Sequence, residues 1–308
     1  MNRQRIILAG GTGFLGESLI DYFSRNPAYQ VEVLSRRPAR TEGEVCYHIW
    51  DGEHLGQWTQ ALEGAWVVVN LAGRTVNCRY HEKNKDQILQ SRLLSTKILG
   101  EAIRQCKNPP KVWINAASAT IYRHATDRPM DEITGEIGKG FSVEVCKAWE
   151  KAFFDFQLPH TRPIALRIAM VLGKKGGVMI PFERLVRFGM GGKQGLGTQY
   201  VSWIHEDDFY ETIRFCIENE GISGAYNCAS PNPMPNREFM RTLRGILKPW
   251  IALGQTEWMV KFGAWLISTE AELLLKSRRV APTKLLEAGF QFKYPVLESA
   301  MREIITRK

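Results

Sequence analysis

Three features of the chain predict an α/β fold, a doubly wound parallel sheet with a smaller C-terminal α+β lobe. Short Val/Ile-rich runs alternate with segments of helical periodicity, a glycine cluster separates the first run from the first helix, and loop-rich sequence replaces the alternation after Gly173. Short continuous apolar runs are strands buried on both faces, the condition of a parallel sheet. Helices between them supply the covering layers.

Taken in order, RIILA (5–9) reads as the first strand and Phe14 to Phe23 as the first helix. VEVL (31–34), VCYHI (45–49) and WVVVNLA (66–72) follow as strands, then a long helix near 84–106. KVWINAA (111–117), a helix over about 141–156 and the strand IALRIAMVL (164–172) complete the alternation. Beyond Gly173, the stretches GKKGG, GMGGKQGLG and SPNPMPN mark loops, with helices expected near 207–219, 236–247 and 257–276. The expected division is a dinucleotide-binding domain over 1–173, with a returning segment near 200–228, and a lobe over 174–308. In such folds ligands lie at the carboxyl ends of the strands, so the lobe is expected to cover that edge.

The chain has 308 residues, 44% hydrophobic and 24% charged, enough for a core that needs no staples. Six scattered cysteines, without a CxxC or a His/Cys cluster, argue against structural zinc or a disulfide framework and for a reducing, cytoplasmic setting. RIILA lies so close to Met1 that no signal peptide is expected. The stretch 258–275 carries Lys261, Glu270 and Glu272, and reads as a buried helix, not a membrane span. The net charge of +9 is dispersed, with no basic run interleaved with aromatics. A small anionic ligand is therefore expected, with no nucleic acid and no membrane partner; a homo-oligomer stays open.

Gly10-Gly11-Thr12-Gly13-Phe14-Leu15-Gly16 follows a strand and opens a helix. It satisfies both GxGxxG and GxxGxxG. The first glycines permit the tight turn, Gly13 admits a pyrophosphate to backbone N–H groups, and Gly16 allows the helix to pack closely on the strand. Gly10, Thr12, Gly13, Phe14 and Leu15 are thus candidate cofactor contacts. An NAD-specific site places an acid at the end of the second strand. Here that position reads Ser35-Arg36-Arg37, a hydroxyl and guanidinium suited to a 2′-phosphate. The expected cofactor is NADP(H).

GGTGFLG, SRRP, NLAG (70–73), CKAWE (146–150), WIHEDDF (203–209), YNCASPNPMPNREF (226–239) and AELLLKSRRVAPTKLLEAGFQF (271–292) span nearly the whole chain. With them the sequence resembles an atypical extended short-chain dehydrogenase/reductase, in the epimerase-family or "cell division inhibitor"-like subgroup with a characteristic C-terminal domain. The resemblance implies that Ser35 and Arg36 hold the 2′-phosphate, with Asp51 near the adenine. It implies that Leu71, Ala72 and Gly73 pass under the adenosine ribose, while Arg92 and Val171 line the nicotinamide side. Ser118, in ASATIY, matches the serine of the superfamily's catalytic set.

That set also needs Tyr and Lys four apart on one helical face, the cation depressing the phenol's pKa. The expected helix reads GFSVEVCKAWE, and the paired positions are Ser142 and Cys146, or Phe141 and Val145. No tyrosine in the chain is followed by lysine four residues on. Tyr122, Lys147 and Glu144 are nearby in sequence but not compelling, and His205 reads as a structural residue, with Asp207 or Asp208 capping the next helix. Arg79 and Tyr80 stand where the subgroup usually has Arg-Trp. The leading reading is an oxidoreductase of unknown substrate with Ser118 on the reacting oxygen. The alternatives are a non-catalytic NADP(H)-binding scaffold or redox sensor, and a sugar-nucleotide epimerase or dehydratase.

Overall fold

The computed structural model describes residues 3–266, 270 and 272–307. Strands β1 (Gln4–Ala9), β2 (Tyr29–Ser35), β3 (Arg40–Glu42), β4 (Val45–Ile49), β5 (Val67–Asn70), β6 (Val112–Ser118) and β7 (Arg162–Ile168) form most of the main sheet. After the short β8 (Met170–Leu172), β9 (Tyr200–Val201) and β10 (Trp203–His205), β11 (Gly224–Cys228) returns to complete it; β12 (Met234–Pro235) pairs with β9. The sheet has eight strands in the order β11-β7-β6-β5-β1-β2-β4-β3. Every pair in it is parallel except β3 with β4. The predicted doubly wound α/β sheet is thus observed.

Alternation along each strand sorts the core. Ile6 and Leu8 of β1 pack on one face with α1 (Phe14–Ser24) and α5 (Glu206–Glu218), through Leu19, Phe23, Phe209 and Ile213. Ile7 and Ala9 point to the other face, under α2 (Glu82–Gln105) and α3 (Phe141–Phe154), through Leu99, Ile103 and Phe153. A separate apolar cluster joins α4 (Met179–Arg187), α6 (Asn236–Leu247) and α10 (Leu297–Thr306), around Phe182, Phe239, Leu243 and Met301. Three more short α-helices follow α6 and precede α10: α7 (Glu257–Leu266), α8 (Glu272–Leu275) and α9 (Thr283–Glu287).

Four local expectations need correction. The stretch 164–172 is not one strand: Ala169 N–H donates to Cys228 O, whereas Met170 N–H donates to Ser202 O, so the chain changes neighbours there and β8 pairs with β10. The hairpin strand β3 lies in SRRPARTEGE, whose polar sequence carries no strand period. The helix expected over 257–276 is observed as α7 and α8, and residues 267–269 and 271 lie outside the described residues. Nor is α7 buried, for Trp258, Phe262 and Trp265, spaced four and three residues apart, are exposed. No helix among the described residues is long and apolar enough to cross a membrane.

Candidate active site

The strand order reverses at β1. From it the chain winds outward to β2 in one direction and to β5 in the other, which opens a crevice at the carboxyl ends of β1 and β5. The glycine loop and residues 71–73 meet there. Leu71 N–H donates to Ala9 O at 2.9 Å, and a Cβ on Gly10 would stand 2.7 Å from Ala72 Cα. Gly10 also has φ +75°, so its lack of a side chain is required twice over.

The other glycines divide the work differently from the expectation. A Cβ on Gly16 would lie 2.4 Å from Gly11 Cα, so Gly16 packs the helix against the loop itself rather than against the strand. A Cβ on Gly13 meets nothing within 4 Å, and its φ of −96° is open to any residue. Gly13 caps α1 without a side-chain hydrogen bond, leaving the positive helix end open to an incoming anion. Thr12, Phe14 and Leu15 are all part-exposed, and the Phe14 ring supports the loop at Gly173, Gly176 and Gly177, where any Cβ would touch it.

A cleft of about 390 Å³ runs beside this loop, lined by Thr12, Glu17, Arg37, Arg40, Tyr47 and Lys175, among others. Ser35 is buried and its Oγ accepts the Arg37 N–H at 3.3 Å, fixing the turn that follows β2. Glu42 is taken by Arg40 at 2.6 Å, and neither Arg36 nor Arg37 makes a salt bridge among the described residues. Both side chains are exposed. Arg37, which the sequence reading left behind Arg36, is the one that lines the cleft.

Asp51 follows β4 and is already engaged. Its Oδ1 accepts the N–H groups of Glu53 and His54 at 2.8 and 2.9 Å, and its Oδ2 meets His54 Nδ1 at 2.8 Å. Those two N–H bonds, then His54, hold its carboxyl down at about 2. Leu71 and Ala72 are part-buried and Gly73 is exposed, beneath a guanidinium: its Cβ would be 3.3 Å from Arg92 Cζ. Val171 is buried in the core, in register with Ile204.

Arg92 pairs with no carboxylate among the described residues. It donates to Arg74 O at 3.1 Å and Ile88 O at 2.9 Å, and its guanidinium sits 5.1 Å from the centre of the Trp149 ring. Burial pushes its pKa down, opposed by Cys146 and Tyr80. Ser118 closes β6, and its Oγ accepts the Thr120 N–H at 3.2 Å. The same hydroxyl reaches the Cys146 thiol, so the α3 face carrying Ser142 and Cys146 is the one turned to Ser118. Burial, reinforced by Glu150, pushes that thiol up to about 12, and it stays protonated at neutral pH. Arg278 brings a second cation to the thiol, with its Nε buried and unbonded among the described residues.

The remaining sequence candidates stand outside the site. Tyr122 is core: its hydroxyl accepts from Arg167 at 2.8 Å and donates to Asn227 Oδ1 at 3.0 Å. Lys147 and Glu144 pair with each other on the exposed side of α3. His205, wholly buried, itself caps α5 by accepting the Asp207 N–H on Nδ1, which corrects the expected Asp cap. Asp207 instead pairs with Lys293 and Arg307, and Asp208 accepts the N–H groups of Lys293 and Tyr294.

One group of residues escaped the sequence reading. Asn70 Nδ2 donates to Asn115 Oδ1 at 2.7 Å, Asn70 Oδ1 accepts the Ala72 N–H at 3.0 Å, and Trp149 Nε1 donates to Thr96 Oγ1 at 3.0 Å. This buried network ties β5, β6, α2 and α3 together beneath the crevice. Its signal was an asparagine at the same place in two otherwise apolar strands, VVVN and VWIN.

An open helix N-terminus at a switch point, with a serine ending β6, defines a nucleotide-binding α/β protein of the short-chain dehydrogenase/reductase class. More narrowly, the chain belongs to the NAD dependent epimerase/dehydratase family, which matches residues 6–229. Residues 256–304 match a domain of unknown function, DUF1731. The chain is 31% identical over 306 residues to the epimerase family protein YfhF of Bacillus subtilis, covering 97% of each. It is also similar to the crystal structure of the human epimerase family protein SDR39U1 with NADPH, at 27% identity and TM-score 0.86, covering 99% of this chain and 100% of that one. A UDP-N-acetylglucosamine 4-epimerase from Bacillus cereus shares the fold, at 19% identity and TM-score 0.75 over 98% of this chain and 95% of that one. The resemblance read from the motifs is borne out.

Proposed function

We propose that the chain is an NADP(H)-dependent oxidoreductase acting on a small substrate, in the cytoplasm. The observation that carries this reading is the pair of exposed guanidiniums, Arg36 and Arg37, neither in a salt bridge among the described residues, after a β2 that ends without an acid. The crevice fits the cofactor: Gly13 leaves open space before an uncapped helix end, where Thr12, Phe14 and Leu15 would offer backbone N–H groups to a diphosphate. Gly10 and Leu71-Ala72-Gly73 would pass beneath the adenosine half, with Ser35, Arg36 and Arg37 on the 2′-phosphate. Asp51 would reach the adenine only by sharing its carboxylate with His54, whereas Val171 would contribute through its backbone. The solved human relative was crystallised with NADPH, which supports the choice. Six free cysteines support a reducing compartment.

When bound, the nicotinamide supplies or accepts a hydride. The protein's part is positional and electrostatic. Ser118 donates a hydrogen bond to the reacting oxygen, and positive charge comes from Arg92, which no carboxylate pairs among the described residues, and from Arg278, 3.9 Å from Glu272. A substrate with an anionic or strongly polarised oxygen suits such a pocket. Titration of NADPH and NADH by nicotinamide fluorescence tests the reading: NADPH is expected to bind at least tenfold tighter, and equal affinities would sink it. A panel of aldehydes, ketones and quinones then separates enzyme from sensor. Turnover that collapses in Ser118→Ala supports catalysis; tight NADPH binding with a silent panel favours the non-catalytic scaffold.

A further inference from the structure

The face of α3 turned to Ser118 should carry a phenol and a cation and carries neither, yet both groups lie against it from elsewhere. Tyr80, in the loop before α2, packs its ring edge-on to Phe141 at 5.0 Å, and its phenol reaches the hydroxyl of Ser142. That hydroxyl is buried and makes no other hydrogen bond among the described residues. The backbone holds Tyr80 from two sides. Its N–H donates to Glu270 Oε1 at 2.6 Å, and the preceding carbonyl, Arg79 O, accepts from Asn84 of α2 at 2.8 Å. Arg79 itself donates to Trp265 O at 2.7 Å, tying the loop to α7.

Arg92 covers the next turns of the same α3 face. Its guanidinium lies over Trp149 and beside Cys146. Ser142, Cys146 and Trp149 occupy i, i+4 and i+7, one stripe of the helix. Tyr80 therefore stands over position i and Arg92 over i+4, the order in which a Tyr-x-x-x-Lys helix presents its two groups.

We propose that Tyr80 and Arg92 replace in trans the phenol and cation absent from this face of α3, with Tyr80 the proton donor at the Ser118 site. This rests on the NADP(H) reading above. In the reducing direction a hydride from the nicotinamide adds to the substrate carbonyl carbon. The phenol O–H of Tyr80 breaks as the O–H of the product alcohol forms, and water returns the proton to the phenolate. Arg92 keeps its charge throughout and acts as a positioning residue that stabilises the phenolate. The surroundings agree with a donor: burial holds the Tyr80 phenol above its ordinary pKa while Ser142 pulls it down. Glu272, Cys78 and Glu270 oppose ionisation, and the charge of Arg92 faces the same phenol.

The test needs no substrate. Carbon-13 NMR of ring-labelled tyrosine follows phenol ionisation in wild type, Tyr80→Phe, Arg92→Gln and Arg92→Lys, each with and without saturating NADP+. One resonance, missing in Tyr80→Phe, is expected to become at least tenfold more acidic when NADP+ binds. Arg92→Gln should abolish the gain and Arg92→Lys restore most of it, a rescue that a purely structural Arg92 would not give. Bound NADP+ with no change in that resonance overturns the proposal and leaves the cofactor reading standing. Failure of wild type to bind NADP+ at all overturns both.

Discussion

Gly10 and Gly13 sit three residues apart and answer to different forces. Gly10 has φ +75° and its Cβ would meet the Ala72 backbone, so Gly10→Ala should cost about 1–3 kcal/mol and lower Tm by several degrees. Gly13 has an ordinary φ and empty space before it. Gly13→Val should leave circular dichroism and Tm near wild type while NADPH affinity falls more than tenfold. A folded Gly13→Val that binds normally would place the diphosphate elsewhere, and an unfolded one would contradict the open space before Gly13. At the end of β2, Arg36→Ala should reduce the preference for NADPH over NADH by about tenfold, or ~1.4 kcal/mol. An unchanged ratio would transfer the role to Arg37, which lines the adjoining cleft.

At the level of the element, α5 depends on an unusual cap. His205 accepts the Asp207 N–H through Nδ1 at 3.1 Å, meets Glu303 through Nε2 at 3.0 Å and lies 4.0 Å from the Tyr294 ring. Burial lowers its pKa below the ordinary 6.5, with Asp207 and Glu303 working the other way. The folded state therefore favours the neutral ring. Its contribution is complete above pH 6.5 and is lost as pH falls through that value toward the lower folded one. Wild-type Tm should fall on acidification below pH 6.5. His205→Asn retains a good N-cap, so its Tm at pH 8 should drop only modestly and its acid slope should flatten. A slope identical to wild type would assign the effect to another group, such as His124, whose pKa burial also lowers.

For the molecule as a whole, the cofactor crevice spans both halves of the sheet. β1, β2 and β4 lie to one side of the switch point and β5, β6 and β7 to the other, so occupancy should stabilise the sheet as a unit. NADPH at one hundred times its Kd should add ~2.7 kcal/mol to unfolding. NADH at the same concentration should add about 1.4 kcal/mol if it binds tenfold more weakly. Differential scanning calorimetry with each nucleotide reads both, and equal shifts would contradict the 2′-phosphate assignment.

Much of this architecture was legible from local pattern. Continuous apolar runs located β1 and β4, and period-3.6 hydrophobicity located α2 and α6, because burial on both faces of a strand or one face of a helix is written into consecutive residues. The glycine loop was legible for the same reason: its turn, its open helix end and the Gly16–Gly11 approach lie within seven residues, although the approach of Gly10 to Ala72 does not. Polar or mixed segments were not. The β3 hairpin owes its strand to pairing with β4, and α7 is as apolar as a core helix yet leaves Trp258, Phe262 and Trp265 in water. Ser142 and Cys146 alone suggested an empty catalytic face. Only the tertiary structure brought Tyr80 and Arg92 onto it, since periodicity says which face of a helix is to be covered, not which distant residue covers it.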